Sequence, residues 1–320
     1  MLLPTDWLDR NLTEIACLAP LQEIVLDIFE EKSVRVFIKR EDLLHPLIGG
    51  NKIYKLHGYL SHYLQTDNNA PIVSFGGAYS NHILALATVG NMMGIRTIGV
   101  IRGEESAELS DTLLDAKAQG MHLHFVSRSE YRQRHQPDML RRLEKQYGNI
   151  FTIPEGGGGT TGALGMISLA EGITLRADFK PEYIFHACGT GASLAGLIAG
   201  FSRQPVGGIY TYGVPVLKGY TALGSDIESL IGALGASSQC WRLLEDYHWG
   251  GYAKFPDALA SFVQGFEEKT GIPLDPVYTA KEIWAIVDQV SHDRFPPGAN
   301  IVAVHSGGLQ GRRGYGLSFE

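Results

Sequence analysis

Hydrophobic and polar positions along this chain change period repeatedly, so that short apolar runs alternate with longer amphipathic segments. The short runs predict strands at 34–39, 72–75, 97–101, 122–126, 150–153, 183–187, 209–214 and 301–305. The longer segments predict helices at 52–64, 81–93, 112–119, 130–147, 161–173, 192–201, 257–269 and 280–291. This alternation is typical of βαβ units on parallel sheets. We therefore predict an α/β protein whose ligands bind beyond the carboxyl ends of the strands. The stretch 215–255 is the least regular, and its periodicity does not settle its structure.

The composition is that of an ordinary globular chain, with 320 residues, 44% apolar residues and a formal net charge of −7. A mildly acidic chain is a poor partner for nucleic acid, and we interpret the basic stretch 128–145 as a solvated helix face. Three cysteines far apart in the sequence argue against disulfides and a zinc knuckle, and we expect no metal. We see no signal peptide and no membrane span, so a cytoplasmic location is the default expectation.

A lysine follows a glycine pair in the sequence Gly49-Gly50-Asn51-Lys52, at the predicted start of a helix. Glycines let the backbone approach another group closely. A lysine that is desolvated there has a lowered pKa and can form a Schiff base. Lys55, one helical turn further on, could then reach a phosphate. The alternative is a solvated helix start with two ordinary lysines, and this motif alone does not separate the two.

Three glycine-rich loops also join predicted strands to predicted helices, at 74–82, 155–162 and 188–193. Such loops offer free N–H groups to carboxylates and phosphates. The third loop is not a Rossmann fingerprint, because Leu194 stands where Gly or Ala is needed, and the chain has no Gly-Lys pair for a P-loop. Ala195 likewise excludes a nucleophile elbow. A generic phosphate site remains for this loop. The simpler alternatives are a close-packed turn there, N-capping by Ser80 or Asn81 in the first loop, and a hinge at 155–162.

Taken together and in order, the motifs resemble the family of D-cysteine desulfhydrase and 1-aminocyclopropane-1-carboxylate (ACC) deaminase. These are pyridoxal 5′-phosphate (PLP) enzymes of the tryptophan synthase β-like fold, also called fold type II. The resemblance covers most of the chain and is weakest over 215–255. The shared motifs are Lys-Arg-Glu-Asp (39–42), Gly-Asn-Lys-x-x-Lys-Leu (50–56), Ser-Asn-His (80–82), Gly-Thr-Gly (189–191), Asp-Pro-Val-Tyr (275–278) and His-Ser-Gly-Gly (305–308).

The resemblance implies a role for each motif. Lys52 would form the Schiff base with PLP and later move the α-proton of the substrate. Asn51 would bind the ring hydroxyl and Ser306 the pyridine nitrogen. The phosphate would be held by Lys55, Gly189, Thr190, Gly191, Ala192 and Ser193. The substrate would be bound by Ser80, Asn81, His82, Tyr278 and Thr279. The catalytic group would comprise Lys52, Ser80 and Tyr278.

Two departures from the family pattern bear on the substrate. ACC deaminases carry Glu directly after the tyrosine, whereas this chain has Thr279, as D-cysteine desulfhydrases do, and Ile53-Tyr54 replaces a frequent Thr-Arg. Opening a cyclopropane ring without that acid is disfavoured. A hydroxyl partner such as Ser306 weakens the electron sink, which suits elimination of a β leaving group. We therefore predict a PLP-dependent lyase that converts a small amino acid, such as D-cysteine, to a 2-oxoacid and ammonia.

Two alternatives stay open. One is ACC deaminase itself, and the other, from a different class, is a non-catalytic protein that binds PLP or a nucleotide. We expect a small lobe over residues 54–151, inserted into a large PLP-binding lobe formed by 1–53 and 152–320. The cofactor would lie in the cleft between the lobes, and a homodimer is expected by resemblance.

Overall fold

The computed structural model describes residues 2–4, 6–66, 69–106, 108–205 and 207–318, which form an α/β fold with two sheets. The strands described are β1 (Leu21–Ile24), β2 (Arg35–Lys39), β3 (Ile72–Gly76), β4 (Thr97–Arg102), β5 (His122–Val126), β6 (Phe151–Thr152), β7 (Tyr183–Cys188), β8 (Tyr210–Pro215), β9 (Trp241–Leu243) and β10 (Asn300–Val304). One sheet has the order β1-β2-β10-β7-β8-β9 and the other the order β5-β4-β3-β6. Every strand pairing is parallel except β1 with β2. This confirms the predicted α/β class.

Helices cover both sheets, which explains why strands such as β3, β7 and β10 read as nearly continuous apolar runs. The helices described are α1 (Leu12–Leu18), α2 (Asp27–Glu31), α3 (Asn51–Gln65), α4 (Asn81–Met93), α5 (Asp111–Ala118), α6 (Arg128–Arg132), α7 (Pro137–Tyr147), α8 (Gly159–Arg176), α9 (Ala192–Ser202), α10 (Leu223–Ala233), α11 (Asp257–Thr270) and α12 (Thr279–Ser291). Two short 3-10 helices, Glu155–Gly157 and Leu309–Tyr315, follow the ends of β6 and β10, respectively.

The single helix predicted over 130–147 is wrong, because the structure has two helices there. The helix α6 ends at Arg132, and α7 starts at Pro137 after Gln136 in an extended conformation. A proline has no N–H to donate and disfavours the helical conformation of the residue before it, so the helix is interrupted here.

Helix α8 packs against three other helices, α1, α3 and α9. It approaches α3 closely at Gly165, where an added Cβ would stand 2.0 Å from the carbonyl oxygen of Tyr54. Only glycine allows this backbone contact. The contact therefore fixes the position of α3, the helix that starts at Asn51 and Lys52.

The two histidines of β5 share one hydrogen-bond partner. His122 and His124 both contact the hydroxyl of Tyr147, at 3.1 and 2.8 Å. The three cysteines are free thiols, and Cys188 is buried at the end of β7. In the described ranges, no helix is both long and apolar enough to cross a bilayer.

The irregular stretch 215–255 contains α10, β9 and a 3-10 turn.

Candidate functional site

A cavity of about 870 Å³ opens where the carboxyl ends of β3, β7 and β10 meet the starts of α3, α4 and α9. This is the edge at which ligands bind in open parallel sheets. Twelve predicted site residues line the cavity together: Asn51, Lys52, Lys55, Ser80, Asn81, His82, Gly189, Thr190, Gly191, Ser193, Tyr278 and Ser306. The structure does not bring Ala192 or Thr279 to the cavity surface, since both are buried behind it.

Lys52 reaches the cavity because the chain before it passes very close to the end of β10. Gly50 has a φ of 25°, and a Cβ on it would stand 2.7 Å from the carbonyl carbon and oxygen of Ser306. A larger residue would separate these two backbones. The glycine pair thus places the first turn of α3 directly beside Ser306.

The amine of Lys52 is held by one hydrogen bond and is poorly solvated. Its Nζ donates to Oδ1 of Asn51 at 2.7 Å, and Nδ2 of Asn51 donates to Oγ of Ser193 at 3.1 Å. Burial lowers the pKa of Lys52 to about 8, although the charge of Asp275 partly opposes that shift. At neutral pH a fraction of this lysine is therefore a free amine, the form that attacks carbonyl groups.

The next group of residues fits a phosphate. The N-cap residue of α9 is Gly191, which has no side chain to cap the helix, so N–H donors and the positive end of the helix dipole are left facing the cavity. Lys55 is buried beside it, and burial with the nearby Lys52 charge lowers its pKa well below the usual value. Both ring nitrogens of the buried His186 lack a hydrogen-bond partner within the described residues. An anionic phosphate would supply the missing acceptor and counter-charge.

The start of α4 forms a second anion-compatible edge of the cavity. Ser80 caps the helix, because its Oγ accepts from the N–H of Ile83 at 3.3 Å. Oδ1 of Asn81 accepts from Nε2 of Gln310 at 2.6 Å, which ties this edge to the turn after β10. The predicted capping is therefore present, and it leaves the first N–H groups of α4 beside the cavity.

His82 is buried below this edge. Its Nε2 lies 2.8 Å from Oγ of Ser74, and that hydroxyl donates to the carbonyl of Ile153 at 2.8 Å. Nε2 is therefore the protonated nitrogen, and Nδ1 is left as an acceptor with no partner in the described structure. Burial also lowers the pKa of His82 well below the usual value. Donating to a carboxylate, the role expected for His82, would require the Ser74 hydroxyl to turn.

Tyr278 forms the opposite wall, above the turn at Gly189. The backbone N–H groups of Val277 and Tyr278 both donate to Oδ1 of Asp275, at 3.0 and 2.6 Å, and this turn aims the tyrosine into the cavity. Burial raises the pKa of Tyr278 well above its usual value, so its hydroxyl keeps the proton. Thr279 instead accepts the N–H of Asp275 through Oγ1 at 2.7 Å, and so holds the same turn from behind.

Sequence reasoning missed several residues that line the cavity: Arg102, Arg128, Tyr131, Arg132, Arg134, His186, Tyr220 and Tyr252. A histidine within the apolar strand β7, two residues before the glycine-rich loop 188–193, was a signal that could have been used. The arginines of the stretch 128–145 were assigned to a solvated face. Arg128 and Arg132 are indeed exposed, but together with Arg134 they also line the cavity. Glu155, in the loop predicted either to line the site or to act as a hinge, does line it.

Comparison with known proteins gives consistent results over nearly the whole chain. The family described as pyridoxal-phosphate dependent enzyme matches residues 20–307. The bifunctional D-cysteine desulfhydrase/ACC deaminase of Arabidopsis thaliana is 26% identical over 294 residues, which cover 86% of this chain and 73% of that protein. The D-cysteine desulfhydrase of Serratia proteamaculans is 25% identical over 286 residues, covering 85% and 86%.

A solved structure of an ACC deaminase homologue superposes with a TM-score of 0.81 at 29% identity, covering 93% of this chain and 91% of that one. The matched range contains the motifs that line the cavity, from Asn51 to Ser306. The donors around Lys55 and the α9 start fit the phosphate of PLP, and Lys52 fits its aldehyde. The chain belongs to the family of pyridoxal-phosphate dependent enzymes and has the tryptophan synthase β-like fold.

Proposed function

We propose that the protein is a PLP-dependent lyase that acts by β-elimination on a small amino acid, with D-cysteine as a representative substrate. In the overall reaction the bond from Cβ to the leaving group breaks, and one water is consumed. The products are a 2-oxoacid, ammonia and the protonated leaving group. The observation that carries the proposal is the amine of Lys52, whose pKa is lowered to about 8 in a cavity that it shares with Tyr278. The names of the relatives support the same reaction class.

PLP, when bound, supplies an electron sink for charge that develops at Cα. Lys52 Nζ takes the proton from the Cα of the substrate, because an amine with a pKa near 8 is an effective base near neutral pH. Asn51 accepts a hydrogen bond from that amine at 2.7 Å and so holds it in one orientation. Asn51 is also the residue we assign to the ring hydroxyl.

The remaining assignments follow the edges of the cavity. Lys55 and the loop 189–193 hold the phosphate, and Ser306, beside the start of α3, contacts the pyridine nitrogen. Ser80 and Asn81 receive the α-carboxylate at the start of α4, with His82 beneath them. These are charge-compatible positions, because each anionic group meets N–H donors or an ammonium.

Tyr278 acts in this proposal as a proton donor to the leaving group. Burial raises its pKa, so its hydroxyl stays protonated at neutral pH and is available as a donor. An added Cβ at Gly189 would lie 3.5 Å from this hydroxyl, so the tyrosine overhangs the loop that we assign to the phosphate. Thr279 then contributes by holding the turn that aims Tyr278.

ACC deaminase activity is the second candidate, favoured by the similarity to the bifunctional plant enzyme and to the ACC deaminase homologue. The side chain after the tyrosine argues against it. Thr279 is buried and bonded to the backbone of Asp275, so position 279 presents no acid to the cavity. We therefore expect ring opening to be much slower than β-elimination.

Product analysis tests the proposal. Holoenzyme is incubated separately with D-cysteine, β-chloro-D-alanine and ACC, and the 2-oxoacids are identified by chromatography. We expect pyruvate from the two β-substituted amino acids and at most traces of 2-oxobutyrate from ACC. Pyruvate from neither compound, with a normal cofactor spectrum, would refute the lyase assignment. A fast release of 2-oxobutyrate would instead select ACC deaminase.

The pKa of Lys52 predicts how fast the apoprotein captures PLP at different pH values. Only the neutral amine reacts, and its fraction rises from about 10% at pH 7 to about 50% at pH 8 and about 90% at pH 9 for a pKa near 8. We expect the capture rate, followed by stopped-flow absorbance, to rise roughly fivefold from pH 7 to 8 and less than twofold from pH 8 to 9. Nα-acetyllysine, with an unshifted pKa, controls for ionisation of PLP itself. A tenfold rise per pH unit up to pH 9 would contradict the lowered pKa.

The lobes and the assembly complete the proposal. We propose that residues 54–151 form a small lobe and residues 1–53 with 152–320 a large one, which is supported by the strands of the second sheet lying between 72 and 152. A homodimer and a cytoplasmic location are further proposals. Light scattering tests the first, since the chain has a mass of 35.0 kDa and a dimer would have about twice that mass.

A further inference from the structure

Three arginines line one side of the cavity and have no assigned function. Arg102 is the last residue of β4, and Arg128 and Arg132 lie one turn apart on the same face of α6. We call these three residues the arginine wall. All three are exposed to solvent through the open cavity.

The arginine wall differs from neighbouring arginines in its lack of acidic partners. Arg134, Arg141 and Arg142 pair with Glu155, Asp138 and Glu130, respectively. For Arg102, Arg128 and Arg132, no carboxylate lies within ion-pair distance in the part of the chain that the structure describes. Of the four arginines that line the cavity, only Arg134 thus has a counter-charge among the described residues.

The base of the arginine wall is held by partly buried contacts. The hydroxyl of Tyr131 donates to Oε1 of Glu155 at 2.8 Å, and Nη2 of Arg134 lies 2.7 Å from Oε2 of the same carboxylate. The guanidinium of Arg102 lies 5.8 Å from the centre of the Tyr131 ring. Glu155 is therefore occupied by Arg134 and Tyr131, and does not neutralise the arginine wall.

The proposed reaction has two anionic groups, the cofactor phosphate and the substrate α-carboxylate, and neither accounts for the positive charge of the arginine wall. Lys55 and the start of α9 already match the cofactor phosphate, and the start of α4 matches the α-carboxylate of the substrate. The cavity of about 870 Å³ is also large for PLP with an amino acid as small as cysteine. The side of the cavity that the arginine wall forms therefore has both unfilled space and positive charge with no assigned anion.

We propose that the arginine wall binds an anionic group carried by the β-substituent of the substrate. This inference rests on the proposed lyase function and narrows its substrate class to amino acids whose leaving group bears a carboxylate, sulfonate or phosphate. Guanidinium groups suit this task because their planar fork binds such oxyanions through two parallel hydrogen bonds. The acid is recognised at a distance from Cα, so the chemistry at Cα and Cβ stays that of β-elimination.

Binding is tested with ligands that cannot eliminate. Both enantiomers of 2-aminoadipate and of homoglutamine have equal length and differ only in a terminal carboxylate or amide. We expect the holoenzyme to bind 2-aminoadipate at least about tenfold more tightly, measured by calorimetry and by the shift of the cofactor band. The double variant Arg128→Gln/Arg132→Gln should reduce this preference to about twofold or less, and Arg102→Gln should reduce it in part.

The matched control is Arg141→Gln, which removes an exposed arginine of α7 that pairs with Asp138 outside the cavity. This variant should keep the full preference and the same cofactor spectrum. Raising the salt concentration from 0.05 to 0.5 M should weaken the preference of the wild type, because the arginines are screened by solvent ions. Equal binding of the two ligands by the wild type, or an unchanged preference in the double variant, overturns the inference.

Turnover is tested separately with S-carboxymethyl-cysteine and S-carbamoylmethyl-cysteine, each as both enantiomers. The carboxylate substrate should give the higher kcat/KM for pyruvate, and the double variant should lose that advantage while retaining activity on the amide. If 2-aminoadipate is preferred but no substrate gives pyruvate, the arginine wall stands and the lyase proposal fails. If both substrates give pyruvate equally well, the lyase proposal stands and the arginine wall has no role in specificity.

Discussion

Replacement of Lys52 by alanine is expected to abolish the visible absorbance band of the covalently held cofactor and to lower kcat by about 10⁴-fold. That loss is the upper end of what a single proton-transferring group contributes. The reason is structural as well as chemical, because Lys52 is held by Asn51 at 2.7 Å and has a pKa near 8. The other lysine of the cavity, Lys55, is buried and also has a lowered pKa, but it lies with the phosphate-compatible donors.

Spectra of holoenzyme, reconstituted with an excess of PLP and then desalted, provide the measurement. Lys117→Ala is the control, because Lys117 is an exposed lysine in the last turn of α5 and does not line the cavity. It should keep both band and activity. Circular dichroism should show that Lys52→Ala is folded. A Lys52→Ala variant that retains the band after desalting would mean that another amine holds the cofactor, and the catalytic assignment would then be wrong.

Replacement of Gly165 by alanine is expected to lower the free energy of unfolding by about 3 kcal/mol, the upper end of the range for overpacking. The added methyl would stand 2.0 Å from the carbonyl oxygen of Tyr54, so α8 and α3 would have to separate. Because α3 carries Lys52 and Lys55, the same variant should also bind PLP more weakly. Urea unfolding monitored by circular dichroism, together with a PLP titration, measures both effects.

A second helical glycine gives the matched control. Gly265 lies within α11, and a Cβ there would meet no atom within 4 Å. The variant Gly265→Ala should therefore raise the free energy of unfolding by about 0.5–1 kcal/mol, since alanine loses less backbone freedom on folding. A loss of stability in Gly265→Ala equal to that in Gly165→Ala would show that close packing of α8 on α3 is not the cause.

Much of the fold could be predicted because local pattern and tertiary structure agree. The helix α4 and the strand β5 have the predicted bounds, and β3, β7 and β10 differ from the prediction by a residue at one or both ends. These elements are buried, so their apolar residues mark them clearly. The elements α1, β1 and α10 were missed, because they are short or lie in segments with mixed patterns. Their structure depends on packing against α8 and β2, which a local pattern does not record.

The candidate site likewise has residues that could be predicted from the sequence and residues that could not. Residues on glycine-rich loops at strand ends could be predicted, since parallel strands bring such loops to one edge. Thr279 was expected at the substrate, but its hydroxyl bonds to the backbone of Asp275 instead, because the residue after Tyr278 already belongs to α12. Arg128 and Arg132 were not predicted at the site, because the basic stretch 128–145 was interpreted only as a solvated face. Their place beside the cavity depends on the packing of α6 through the buried ring of Tyr131, which is a tertiary contact.

The interruption between α6 and α7 has a consequence for how this enzyme can evolve. Apart from Tyr131, the residues of α6 are exposed or only partly buried, and exposed substitutions usually change stability by no more than about 0.5 kcal/mol. Mutations at Arg128 and Arg132 can therefore accumulate without loss of the fold, whereas Gly50 and Gly165 tolerate almost none. Substitutions in α6 alone can therefore change the substrate preference of descendants of this chain, while the residues that bind the cofactor stay the same.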